Sequence, residues 1–95
     1  MHVISRKALR LFWEEHPESK MTLARWFKIM RTTDFADFEA IRKTFPSADL
    51  VNRWIVFNVG GNKYRLIASI HFNRKKTYVR HVLTHADYDK GSWKK

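Results

Sequence analysis

Cysteine is absent from all 95 residues, which removes disulfide scaffolds, zinc ribbons and thiol nucleophiles together and fits a reducing cytoplasm. Two prolines and three glycines are too few for a flexible linker, and no repeat or low-complexity stretch appears. One domain over 1–95 is the expectation. Long apolar runs are missing too, none approaching the ~20 residues that span a membrane. The opening "MHVISRKALRLFWEEH" is interrupted by charges every few residues, unlike a signal peptide. A soluble cytoplasmic domain with no membrane contact is therefore expected. Acidic residues are also scarce. Nine Asp and Glu face nineteen Lys and Arg, a net charge of +10. The excess is uneven: residues 1–60 carry +3, whereas 61–95 carry +7. Such a field is the footprint of a polyanionic partner, usually nucleic acid, although an acidic protein would use it as well.

Apolar mass is plentiful. Hydrophobic residues make up 44% of the chain, with four Trp, seven Phe and three Tyr, enough for the dense core a small domain needs. "HVIS" suits a short first strand. From Ser5, a candidate N-cap, Ala8, Leu9, Phe12 and Trp13 follow helical spacing until Pro17 ends the run. Leu23, Trp26, Phe27 and Met30 predict a second amphipathic helix, and Phe38, Ile41 and Phe45 a short third helix or helical connection before Pro46. Strand patterns then take over. "RWIVFNV" leads into the turn signal "GGN", and "KYRLIASIHF" alternates. Period two sends Tyr64, Leu66, Ala68, Ile70 and Phe72 to the core. It leaves Lys63, Arg65, Ile67, Ser69 and His71 on the opposite face. "TYVRHVLTH" is a further strand. The order β–α–α–β–β–β predicts an α+β domain, a mainly antiparallel sheet with helices on one face and the other face free for a ligand.

The stretch "HVLTHADYD", residues 81–89, concentrates the chemistry. His81 and His85 have the i, i+4 spacing of a metal pair, but on a strand they stand roughly 13 Å apart and cannot share an ion. No metal site is expected. Thr84 and Asp87 match a capping box that starts a helical turn, which takes Asp87 out of the catalytic candidates. His85 and Tyr88 remain, three apart at the end of the sheet. With Lys63, Arg65 and Arg80 nearby, they suit a phosphodiester: guanidinium for phosphate oxygens, imidazole for proton transfer, phenol for stacking.

"VFNVGGNKYRLIASIHF" followed by "YVRHVLTHADYDK", with the opening "MHVISRKALRLFWEEHP" and "FPSAD" before the sheet, resembles the HigB-type toxins of the RelE/ParE superfamily along essentially the whole chain. The resemblance implies a RelE-like β–α–α–β–β–β fold and a ribosome-dependent mRNA interferase without metal or cofactor. In such enzymes a 2′-hydroxyl attacks the adjacent phosphate, leaving a 2′,3′-cyclic phosphate and a 5′-hydroxyl. It implies as partners the translated mRNA, ribosomal RNA and a HigA-type helix-turn-helix antitoxin, the toxin–antitoxin heterotetramer binding operator DNA. Arg65 matches the phosphate-binding arginine, Tyr88 a C-terminal tyrosine that orients the message, and His85 a basic or histidine catalytic position. Lys63, Arg80, Asn62 and Lys90 are the expected RNA contacts. This chain lacks the histidine before the hairpin and the dense lysine cluster of some relatives, so which group is base and which acid stays open. A non-catalytic RNA- or ribosome-binding module and a ParE-like inhibitor of DNA gyrase are the alternatives.

Overall fold

A computed structural model describes residues 1–61 and 63–94; Asn62, one of the expected RNA contacts, lies outside the described residues. Strand β1 (His2–Ile4) leads into helices α1 (Arg6–Glu15) and α2 (Lys20–Thr32), joined by one 3-10 turn at Pro17–Ser19. Helix α3 (Phe38–Thr44) precedes β2 (Asp49–Val51), β3 (Trp54–Val59), β4 (Tyr64–His71) and β5 (Lys76–Thr84), and α4 (His85–Lys90) follows. The sheet runs β1–β5–β4–β3–β2, antiparallel except for the parallel β1–β5 pair. This is the expected α+β arrangement with one strand more, because the short β2 extends the edge beside β3. No helix among the described residues is long and apolar enough to cross a membrane.

Helices α1 to α3 form because their apolar stripes meet the sheet. Leu9 of α1, Leu23, Trp26 and Met30 of α2 and Ile41 of α3 are buried against Ile55, Phe57, Leu66 and Ala68. Trp26 and Phe45 both pack edge-on to Phe57, with ring centroids at 5.4 and 5.1 Å. Asp37 starts α3 by accepting from the Ala40 amide at 2.9 Å. Ser5 occupies the N-cap position of α1 as expected, but its hydroxyl makes no capping bond. The Met1 α-amine is tucked against the end of α2, donating to Met30 O at 2.8 Å and Asp34 Oδ1 at 3.1 Å.

Two backbone features set the geometry of the far sheet face. In the β3–β4 hairpin Gly60 has φ +63°, and a Cβ there would meet Tyr64 Cδ2 at 3.1 Å, so both conformation and contact favour glycine. In β5, Val79 and Val82 both pack into the main core although they are three apart, which simple alternation forbids. The register explains it: Ile67 pairs with His81 and Ala68 with Val79, leaving Arg80 as an inserted residue. This β-bulge turns both Arg80 and His81 away from the helices. Alternation resumes beyond it, with Leu83 on the far face beside Ile67.

The far face is free only in part, which corrects the period-two reading. Arg65 and Ile67 do point away from the helices, but Arg65 is 8% exposed and Ile67 is fully buried. Helix α4 and the tail fold back over that end of the sheet, where Trp93 packs on Val56 and Ile67 with Leu83 and Tyr88 around them. Gly91, at φ +73°, makes the reversal possible by ending α4 in the left-handed region.

Candidate active site

The site is built where the β3–β4 hairpin, the end of β5 and α4 converge. The His85 amide donates to the Lys63 carbonyl at 3.0 Å, tying the first residue of α4 to the hairpin. Thr84 caps α4, its Oγ1 accepting from the Asp87 amide at 3.2 Å. The forward half of the expected capping box therefore forms, while the Asp87 carboxylate lies 3.6 Å from Lys90 Nζ. Thr84→Ala should cost about 1 kcal/mol, lowering the melting temperature by roughly 4–8 °C in thermal denaturation.

Arg65 enters from β4, opposite Leu83 on β5 and Asn58 on β3. Its Nη1 donates to Tyr64 O at 3.1 Å, and its Cζ lies 5.6 Å from the Tyr88 ring centroid. A guanidinium keeps its charge under burial, so ring and carbonyl offset part of its lost hydration. Tyr88 is itself held: it stacks on Trp93 at 5.1 Å and 15°, and its carbonyl accepts from Trp93 Nε1 at 3.0 Å. His85 is half exposed, with Nδ1 2.9 Å from Asp89 Oδ2 one turn along α4. A carboxylate accepting from Nδ1–H leaves Nε2 as the ring nitrogen open to a substrate.

Behind Arg65, the Tyr64 hydroxyl donates to the Glu18 carboxylate, while the Tyr64 ring meets Phe12 edge-on at 5.3 Å. That hydrogen bond holds Glu18 below the usual carboxylate range, helped by the charges of His16 and Lys63, and raises Tyr64 above the usual phenol range. A depressed carboxylate stabilises the fold above its unfolded value of about 4.3, and the contribution disappears as pH falls through the folded value. Wild type should therefore melt above Glu18→Gln near pH 7, and the gap should narrow as the pH falls below about 4.3. A gap independent of pH would show that this bond has no such linkage.

The predicted residues do not all converge. Arg65 and Tyr88 meet; His85 stands at the start of the same helical turn, beside the Lys63 backbone. Lys90 instead pairs with Asp87. Arg80 sits lower on the sheet, with Cζ 5.2 Å from the Tyr78 ring and 6.0 Å from that of Trp54. Sequence reasoning left Asp89 and Trp93 without roles. The i, i+4 spacing from His85 was the available signal for Asp89. Trp93 offered only an aromatic residue in a polar tail.

The family model described as "HigB_toxin, RelE-like toxic component of a toxin-antitoxin system" matches residues 19–91. An "mRNA interferase HigB" of Escherichia coli O6:H1 is 37% identical over 93 residues, covering 95% of this chain and 90% of that protein. The "mRNA interferase toxin HigB" of Escherichia coli K12 and the "mRNA interferase HigB" of Shigella flexneri are each 37% identical over 92 residues, covering 94% of this chain and 88% of theirs. With a family model matching residues 19–91 and a relative 37% identical over 95% of its length, the chain belongs to the HigB family of RelE-like toxins, and its partner is an antitoxin.

Proposed function

We propose that this toxin is an endoribonuclease that cuts mRNA on the translating ribosome, acting in the cytoplasm as one domain over residues 1–95. The observation that carries the reading is the pairing of a sheltered guanidinium, Arg65 beneath Tyr88, with a carboxylate-anchored imidazole, His85 on Asp89. Similarity to proteins named mRNA interferases supports the substrate class. In this mechanism His85 Nε2 takes the proton of a ribose 2′-hydroxyl, and O2′ attacks the adjacent phosphorus. The bond to O5′ then breaks, giving a 2′,3′-cyclic phosphate and a 5′ oxygen that takes its proton from solvent, while the His85 imidazolium returns its proton to solvent. Arg65 binds the equatorial phosphate oxygens as negative charge grows on them. Tyr88 orients the nucleotide by stacking. Lys63, Asn62 and Arg80 hold message or ribosomal RNA backbone, with Lys90 adding long-range attraction despite its pairing with Asp87. A HigA-type helix-turn-helix antitoxin silences the toxin in a heterotetramer on operator DNA.

Mapping message 5′ ends in a translating extract tests this reading. Wild type should create new 5′-hydroxyl ends within the translated region, and His85→Ala should not. Binding without new ends would leave an RNA-binding module, and DNA damage with unaffected translation would leave a gyrase inhibitor.

A further inference from the structure

Away from that site, the open part of the far sheet face carries a row of rings and guanidinium groups. Ser69 on β4 pairs with Tyr78 on β5, and Trp54 on β3 lies at the same level, because Ile55, the next residue, pairs with Ala68. The two aromatic side chains thus stand on either side of a small serine. The bulge residue Arg80 reaches between them, its Cζ 5.2 Å from the Tyr78 ring and 6.0 Å from that of Trp54. Arg53 lies 4.8 Å over the Trp54 ring, and His71 meets Tyr78 edge-on at 5.3 Å. Arg53, His71 and Arg80 are exposed, while Trp54 and Tyr78 are half-buried. Among the described residues neither arginine pairs with a carboxylate.

We propose that this row is a stacking platform for unpaired bases of the message flanking the scissile phosphate. The inference rests on the reading of an RNA substrate and adds the residues that hold its flank. Rings present π faces that accept any base. Guanidinium planes stack on bases while their N–H edges reach phosphates, a combination suited to single-stranded nucleic acid. A purely structural ladder would gain nothing from leaving two exposed arginines without carboxylates on a chain of net charge +10. Position chooses the message over the ribosome. The row shares a sheet face with Arg65: Arg80 lies about two to three residues from it along the strands, roughly 7–10 Å, and the rings about four, roughly 13 Å.

The test uses a fluorescein-labelled, fully 2′-O-methylated octanucleotide, which lacks the attacking hydroxyl and cannot be cut. Its affinity is read by fluorescence polarisation. Tyr78→Leu and Trp54→Leu should each weaken binding about fivefold or more, as expected for loss of a base stack. Arg80→Lys should also weaken it although the charge is kept. Arg25→Gln on helix α2, an exposed charge on the helical layer, should change it less than twofold. Trp54 also touches the cluster around Trp93, so Tyr78→Leu decides if Trp54→Leu melts early. Unchanged affinity in folded Tyr78→Leu overturns the platform. A second arm places 4-thiouridine beside the cut site of a translated message. Cross-links from the message to the peptides bearing Trp54 or Tyr78 support the assignment, and cross-links confined to ribosomal RNA overturn it. The two readings fail separately: absence of new 5′ ends with wild type condemns the nuclease, and octanucleotide affinity judges the row.

Discussion

Arg65→Ala should lower cleavage of translated message by about 10²–10³-fold, the scale seen when one donor to a developing oxyanion is removed. Arg65→Lys should fall nearly as far. Lysine keeps the positive charge but presents a compact ammonium instead of a planar fork, so paired donation to phosphate oxygens is lost. Position makes this residue unusually sensitive. At 8% exposure, with the Tyr88 ring above and Tyr64 O beside it, its side chain follows one route out of the sheet. A shorter or more mobile cation cannot reproduce that aim. Cleavage is measured by 5′-end mapping at matched protein concentration, and circular dichroism with thermal melting checks that each variant is folded. If folded Arg65→Ala and Arg65→Lys both cut at the wild-type rate, Arg65 is not the phosphate ligand.

His85→Ala should cost about 10²–10⁴-fold in the same assay, the usual contribution of a positioned general acid or base. Asp89→Asn should cost less, on the order of tenfold, because the amide can still meet Nδ1 yet no longer favours the Nδ1–H tautomer. The His85 and Asp89 side chains are 48% and 60% exposed, so neither change opens a cavity and melting temperatures should barely move. A loss of activity without a loss of stability separates chemistry from structure here. Equal rates for wild type and His85→Ala would remove the imidazole from the mechanism and leave the proton transfer to another group.

Much of this molecule was legible in local pattern. The helix boundaries followed Pro17 and Pro46, the Gly60–Gly61 turn sat between two β-rich runs, and Thr84 stood where a cap was needed. Each is a short-range effect: fixed φ, a positive φ, or a side-chain oxygen near three free amides. Arg65 and Tyr88, 23 positions apart, were placed near one another by strand order, and family resemblance assigned their roles; the ring over the guanidinium was not legible in spacing.

What the sequence alone determined was the α+β class, the strongly basic C-terminal third and the face toward which Arg65 points, because alternation and charge are local properties. Tertiary structure decided the rest. It placed a bulge at Arg80, which alternation cannot foresee because the extra residue is chosen by what Val79 and Val82 must bury together. It folded Trp93 back over Val56 and Ile67 and set the Tyr88 ring over Arg65, covering part of a face expected to be open. Both outcomes come from contacts between residues far apart in sequence, and only three-dimensional packing sets their balance.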